Sequence, residues 1–131
     1  MKNIVFVCVE NSNRSQMAQA FATIHGQDFS SFSAGSKPSG VINPKAINAM
    51  KELGYDLTKH NSTSTDELPD VVFDYIVTMG CGDTCPYVPA KKRIDWLIPD
   101  PKNMNEEEFR AVRDEIEKRV VNLLKESRAN E

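Results

Sequence analysis

The feature that most constrains this chain is a strand, a tight loop and a helix in direct succession at its N-terminus. The apolar run Ile4–Val7 predicts a buried strand, and apolar residues at helical spacing begin near Gln16. The residues between them, Cys8–Ser15, therefore form a loop that leads into a helix N-terminus. Because the N–H groups of such a loop converge at the positive end of a helix, this arrangement favours binding of a tetrahedral oxyanion.

Two side chains of this loop carry the predicted chemistry. Cys8 is the predicted nucleophile, since the converging amides, the helix end and the guanidinium of Arg14 would all stabilise its thiolate. Arg14 can also donate two parallel hydrogen bonds to two oxygens of the anion. The alternative interpretation makes Cys8 a small buried residue at the end of a core strand and Arg14 a solvated residue. The predicted substrate-binding residues are Val9, Glu10, Asn11, Ser12, Asn13, Arg14 and Ser15.

The length and charge of the chain limit the classes of protein to which it can belong. The chain has 131 residues, enough for the single domain that we predict over residues 1–131. Its 16 basic and 19 acidic residues give a net charge of −3, which argues against a nucleic-acid binder. No apolar run is long enough for a bilayer span or a signal peptide, so we expect no membrane association and a cytoplasmic location. In such a compartment the three cysteines are more typical of catalysis or redox chemistry than of structural disulfides.

The rest of the chain alternates between strand and helix patterns. Residues 55–70 predict a connection with one short helical turn capped by Ser64 or Thr65, and residues 80–103 a long loop with a short strand near 94–96. This order predicts a three-layer α/β/α domain with a small parallel sheet of about four strands, in which ligands bind beyond the carboxyl ends of the strands. The predicted elements are a helix from about Ser15 to His25, a strand from Phe29 to Ala34, a helix capped by Asn43 and ended by Gly54, strand signals at Val71–Phe73 and Tyr75–Met79, and a helix from about Asn105 to Lys125.

Two further cysteines follow the strand that ends at Met79. If that strand is parallel to the first, Cys81 and Cys85 emerge at the same edge of the sheet as Cys8. Since Cys81 lies between two glycines, its backbone can move, and a mobile thiol can attack a neighbouring nucleophilic sulfur and discharge a bound group by forming a disulfide. One alternative is a zinc site made by the three cysteines and a histidine, and another is a pair of incidental loop thiols.

An acidic residue between two prolines completes the predicted site. Asp100 is framed by Pro99 and Pro101, and a rigid loop of this kind can hold a carboxyl group above an anion site as a general acid. The alternative is a turn-forming Asp before proline. Asp83 is a weaker second choice for the same role, and Asp95 is less well framed still.

These residues together give the chain a family resemblance. It resembles the thioredoxin-coupled arsenate reductases built on the low-molecular-weight tyrosine phosphatase fold, over nearly its whole length. No single segment is specific, but the combination is. The segments are Cys8 with Arg14–Ala18, Ser33–Gly35, Asn43–Ala46, Val77–Pro86, Asp100–Pro101 and Phe109–Ile116.

The resemblance implies a reaction and its partners. It implies that Cys8 attacks arsenate held by Arg14 and the loop amides, while Asp100 protonates the departing hydroxyl. Cys81 then attacks the sulfur of Cys8 and releases arsenite, and Cys85 resolves the disulfide to Cys81–Cys85. The implied partners are an arsenate or phosphate-like oxyanion and a thioredoxin-like or other thiol reductant. We expect a monomer with no cofactor beyond that reductant.

Two alternatives to arsenate reduction remain. The first is a low-molecular-weight phosphatase that hydrolyses phosphate monoesters through a phosphocysteine at Cys8, which would need Arg14 and Asp100 but neither of the later cysteines. Lys102 stands where the phosphatases typically have a ring-contacting aromatic, which favours a bare oxyanion. The second is a redox sensor or anion-binding module without turnover. Some family members bind potassium through acidic side chains, but Gln19 and Thr63 occupy the matching positions, so we predict no metal.

Overall fold

The computed structural model describes residues 2–80 and 88–130. Within these ranges, short 3-10 turns occupy Leu57–Lys59, Thr65–Glu67 and Pro101–Asn103. The long elements, in chain order, are β1 (Lys2–Cys8), α1 (Arg14–His25), β2 (Phe29–Gly35), α2 (Pro44–Lys51), β3 (Phe73–Met79), β4 (Ala90–Trp96) and α3 (Glu106–Ala129). None of the described helices is both long and apolar enough to cross a membrane.

The strands form a parallel sheet in the order β2-β1-β3-β4. The register aligns their carboxyl ends, since Cys8 lies opposite Gly35 and Met79 lies opposite Trp96. Residues that follow these four strands are therefore brought to one edge, where ligands bind in open α/β sheets. The predicted α/β class and small parallel sheet are confirmed.

Apolar side chains separate onto the two faces of the sheet because successive residues of a strand point in opposite directions. Ile4 and Phe6 of β1 belong to the larger core cluster, which includes buried residues from all three helices, such as Phe21, Met50 and Ile116. Val5 and Val7 belong to a smaller cluster on the opposite face, against which Leu68 packs. Leu68 ends the 3-10 turn Thr65–Glu67, so this turn and its flanking chain contribute to the second outer layer.

The helix ends follow the capping signals in the sequence. The Asn43 side chain accepts a hydrogen bond from Lys45 N, with proline at the first helical position of α2. Asn105 forms a reciprocal capping box with Glu108 at the start of α3. The predicted end of α2 at Gly54 was too late, because the helix ends at Lys51 and an exposed turn follows, in which Gly54 has a φ of +80°.

The edge strand β4 was predicted only in part. It spans seven residues, whereas the sequence indicated a short strand near 94–96 inside a long loop. Its composition explains the difference, since Lys91, Lys92 and Arg93 are all exposed and break the apolar signal. Charged residues on an edge strand discourage pairing with another chain.

A charged cluster joins α2 to α3. Glu52, just beyond α2, accepts two hydrogen bonds from Arg110 Nε and Nη2 at 3.0 and 2.7 Å and one from Arg113 Nη1 at 2.7 Å. These bonds, with that of Arg110 the largest cause, lower the pKa of Glu52 to about 2. The carboxylate is therefore charged in the folded protein through most of the acidic range.

Candidate active site

The loop between β1 and α1 turns its carbonyl groups outwards. Carbonyl oxygens of Cys8, Val9, Glu10 and Ser12 accept hydrogen bonds from backbone N–H groups in the chain that follows β2. Among the described residues, no hydrogen bond is donated by a backbone N–H group of residues 10–14. The loop amides therefore face the other way, as an anion-binding concavity requires. The four bonds are Ser36 N to Cys8 O at 3.3 Å, Lys37 N to Val9 O at 2.8 Å, Ser39 N to Glu10 O at 3.0 Å and Asn43 N to Ser12 O at 3.1 Å.

Cys8 ends β1 and lies at the base of this concavity. It is 3 % exposed, and its Sγ lies 2.8 Å from Ser15 Oγ. Asn11 Nδ2 donates to the same Ser15 oxygen at 2.7 Å, and Asn11 has a positive φ of 51°. A short polar residue such as Asn tolerates this left-handed backbone, which tightens the loop.

Arg14, the first residue of α1, is fixed by the loop that follows β4. Its Nη1 donates to Ile98 O at 3.0 Å, and its Nη2 lies 3.9 Å from Asp100 Oδ2. The guanidinium also lies against Gly80, where a Cβ would overlap Nη1. With 9 % of its surface exposed, Arg14 is held in position before any anion binds.

The two carboxylate oxygens of Asp100 have different partners. Oδ1 accepts from Lys102 N at 3.1 Å and so caps the 3-10 turn Pro101–Asn103, while Oδ2 faces Arg14. The Asp100 side chain is 46 % exposed. Lys102 also reaches across to the loop, where its Nζ lies 3.2 Å from Glu10 Oε1.

These residues share one cleft of about 250 Å³. The structure thus brings together the predicted nucleophile, anion-binding arginine and general acid. Of the predicted substrate-binding residues, Asn11 and Ser15 lie behind the loop instead of lining the cleft, and both are fully buried. The lining residues are Cys8, Val9, Glu10, Ser12, Asn13, Arg14 and Asp100.

Other predicted residues lie away from the cleft or outside the described residues. Cys81, Cys85 and Asp83 lie outside the described residues, so the disulfide exchange, the zinc alternative and the second-choice acid stay predictions. Asp95 accepts a hydrogen bond from the Thr78 hydroxyl and is not among the residues that line the cleft.

The side chains at the two positions that match the potassium site of some family members form hydrogen bonds within the protein. Gln19 Oε1 accepts from Ser33 Oγ at 2.6 Å, and Gln19 Nε2 donates to Ser31 O at 3.2 Å. Thr63 Oγ1 donates to Asn61 O at 3.2 Å. Among the residues placed by the structure, no group of three or more His, Cys, Asp or Glu side chains is arranged to hold a metal ion.

Behind the loop lies a polar network that no sequence pattern predicted. Gln16 is fully buried and donates through Nε2 to Asn11 Oδ1 at 3.0 Å and to Asn61 O at 2.9 Å. Its Oε1 lies 2.9 Å from His60 Nδ1, and His60 Nε2 lies 2.6 Å from the Tyr55 hydroxyl. No spacing rule links His60 to residue 8, because the tertiary fold alone brings the two segments together.

The half-buried His60 and Tyr55 have shifted acid–base properties. Burial, and then the charge of Lys59, lower the pKa of His60, so its ring is neutral at pH 7. Burial is also the largest cause that raises the pKa of Tyr55, which keeps its hydroxyl protonated. The pair therefore consists of a neutral imidazole and a protonated phenol.

Comparison with known proteins places this geometry in context. A family model described as low molecular weight phosphotyrosine protein phosphatase matches residues 3–131. An arsenate reductase of Staphylococcus xylosus is 41 % identical over 126 residues, which cover 93 % of this chain and 95 % of that protein.

Solved structures agree with the sequence comparison. An arsenate reductase in the phosphate binding state superimposes with a TM-score of 0.84 at 33 % identity, covering 96 % of this chain and 98 % of that one. A thioredoxin-dependent arsenate reductase of Corynebacterium glutamicum has a TM-score of 0.79 and 31 % identity, covering 100 % of this chain and 64 % of that one.

Proposed function

This chain belongs to the low molecular weight phosphotyrosine protein phosphatase family, and we propose that it is an arsenate reductase that uses Cys8 as its nucleophile. The main observation behind this proposal is that Cys8, Arg14 and Asp100 line one cleft in a chain that is similar to arsenate reductases over almost its whole length. The outward-facing loop carbonyls support the same activity, since they leave donors to bind a tetrahedral oxyanion.

In the first step the Cys8 thiolate attacks arsenic. Arg14 and the loop amides hold three oxygens of arsenate, while the fourth, opposite the sulfur, faces the general acid. This fourth oxygen carries the hydroxyl hydrogen of arsenate, and Asp100 gives its own proton to the departing hydroxyl, which leaves as water. A sulfur–arsenic(V) bond forms as an arsenic–oxygen bond breaks, and no oxidation state has changed.

The second step reduces the metalloid. The Cys81 thiolate attacks the sulfur of Cys8, and the electron pair of the sulfur–arsenic bond passes to arsenic, so arsenic(V) becomes arsenic(III) and leaves as arsenite. Cys85 then attacks Cys81, which frees Cys8 and leaves a Cys81–Cys85 disulfide. A dithiol reductant takes over this disulfide and completes the cycle.

The proposed partners follow from this cycle. The reductant is a thioredoxin-like dithiol, as the name of the Corynebacterium relative says of that protein, with a low-molecular-weight thiol as the alternative. The chain acts as a cytoplasmic monomer, and its chemistry needs no metal because thiols supply both electrons.

A second function, hydrolysis of phosphate monoesters, is favoured by the family to which the chain belongs. The same three cleft residues would form a phosphocysteine at Cys8, which water would hydrolyse. Lys102 and Glu10 at the rim offer no aromatic contact to a phenyl ester, so we propose that this activity is residual.

The test is a coupled assay of arsenate-dependent NADPH oxidation with thioredoxin and thioredoxin reductase. Cys8→Ser should abolish turnover, whereas Cys81→Ser should abolish arsenate reduction and retain hydrolysis of an aryl phosphate. The matched control is Ala129→Cys, at the exposed C-terminal end of α3, which keeps the number of thiols when combined with Cys81→Ser. Unchanged arsenate turnover in Cys81→Ser would refute the disulfide cycle.

A further inference from the structure

The buried contacts behind the cleft fix the direction of each hydrogen bond. Gln16 Nε2 faces Asn61 O at 2.9 Å and Asn11 O at 3.0 Å, and backbone carbonyls can only accept, so the amide nitrogen must face them. Asn11 Oδ1 accepts from Thr63 N at 2.7 Å, which leaves Asn11 Nδ2 to donate to Ser15. The orientations of both amides are therefore determined by the surrounding backbone.

The same reasoning fixes the tautomer of His60. Because Gln16 Oε1 can only accept, the proton of the neutral imidazole must lie on Nδ1, 2.9 Å away. Nε2 is then an acceptor, and the Tyr55 hydroxyl, 2.6 Å away, must donate to it. Every bond from Tyr55 towards the loop thus donates in one direction.

The last bond of this series reaches the nucleophile. Ser15 Oγ accepts from Asn11, and its own hydrogen is free to donate to Cys8 Sγ at 2.8 Å. A thiolate has no hydrogen, so in the reactive state Ser15 must be the donor. Hydrogen bonds aligned in one direction polarise each other, and a bond donated to an anion stabilises it.

We propose that Tyr55 and His60 are positioning residues that stabilise the Cys8 thiolate from a distance, through Gln16, Asn11 and Ser15. The inference rests on the proposed function only in taking Cys8 as the nucleophile. The connecting residues Gln16, Asn11 and Ser15 are each 0 % exposed, so water cannot replace a missing hydrogen-bond donor among them. His60 itself must stay neutral, because a proton on Nε2 would remove the acceptor for Tyr55.

The charged surroundings of His60 are compatible with a neutral ring. Within the cleft that it lines, the charged neighbours among the described residues are Lys59 and Glu67, and α1 contributes only the uncharged Gln19. Lys59 also lies over the Tyr55 ring, 5.6 Å from its centroid. Among residues 2–80 and 88–130, no carboxylate forms a hydrogen bond or an ion pair with His60 that would favour its protonated form.

The experiment measures the pH dependence of Cys8 alkylation by iodoacetamide in the full chain, with peptide mass spectrometry to separate Cys8 from Cys81 and Cys85. His60→Leu and Tyr55→Phe should raise the midpoint by about half a pH unit, which makes alkylation roughly threefold slower below the midpoint. The rates should converge with wild type well above the midpoint, since the thiolate then forms without assistance.

Controls separate positioning from packing. His60→Asn keeps an amide donor near the position of Nδ1 but has no acceptor at the position of Nε2, so its midpoint should match that of Tyr55→Phe. His25→Gln changes the other histidine, which pairs with Glu117 on the surface, and should keep the wild-type midpoint. If Tyr55→Phe and His60→Leu both titrate within about 0.1 unit of wild type, the proposal is wrong. A fall in rate that persists at high pH would also overturn it, because that would report a collapsed loop.

A spectroscopic measurement tests the tautomer without any activity. The chain has only two histidines, so His25→Gln leaves His60 as the single imidazole in a ¹⁵N spectrum. We expect the neutral Nδ1–H tautomer at pH 7. An Nε2–H tautomer would reverse the direction of the bonds and refute the proposal, whatever arsenate assays show.

Discussion

Gly80→Ala should impair oxyanion binding by displacing Arg14, although residue 80 makes no contact through a side chain of its own. Gly80 follows β3 with a φ of +80°, and a Cβ at this position would overlap Arg14 Nη1. The guanidinium cannot simply retreat, because Nη1 donates to Ile98 O at 3.0 Å and the residue is only 9 % exposed. The substitution therefore moves the group that is proposed to hold the anion.

Two separate costs can be worked out. An alanine with a left-handed backbone costs about 1–2 kcal/mol of folding stability. A misplaced guanidinium loses a charge-assisted hydrogen bond to the anion, worth about 1.5–3 kcal/mol, which corresponds to roughly tenfold to hundredfold in kcat/KM. Urea unfolding measures the first cost, and calorimetric titration with sulfate together with hydrolysis of an aryl phosphate measures the second. Neither the sulfate titration nor the hydrolysis assay depends on Cys81.

The chain supplies matched controls for this substitution. Gly54 and Gly40 have φ values of +80° and +81°, and a Cβ at either position meets nothing within 4 Å. Gly54→Ala and Gly40→Ala should therefore lose similar stability and keep full activity. If Gly80→Ala hydrolyses the ester within about twofold of Gly54→Ala, the contact with Arg14 does not matter and the reasoning fails.

Three further predictions concern charge and packing. The pKa of Glu52, lowered to about 2 against an ordinary 4.5, means that its stabilisation is present above pH 4.5 and lost as the pH falls towards 2, so the advantage of wild type over Glu52→Gln in urea unfolding should shrink across that range. Lys102→Ala leaves the Glu10 charge unpaired at the rim and should raise KM for arsenate about twofold to fivefold at low salt but not in high salt, with kcat unchanged. An effect independent of salt would contradict this. Ile116→Ala should cost about 2–5 kcal/mol in urea because the side chain is 0 % exposed, whereas the same change at Ile24, 38 % exposed, should cost much less.

Much of the fold could be predicted from local patterns. The strand at Ile4–Val7, the caps at Asn43 and Asn105 and the short turn after Ser64 all depend on neighbouring residues, and each is present. The strand β4 was mostly missed because an edge strand buries little, so its charged residues carry no apolar period. The apolar pair Val71 and Val72 gave a strand signal that was wrong, since both residues are exposed and precede β3.

The candidate site also has a part that local sequence predicted and a part that it did not. By itself the sequence determined the local part, a thiol and a guanidinium within one short loop before a helix, because their spacing places both at the same helix end. Only the tertiary structure decided what holds them: Ile98 and Gly80 around Arg14, and His60 behind the loop. Contacts between residues 44 to 84 positions apart depend on how strands pair and loops return, which no local spacing encodes.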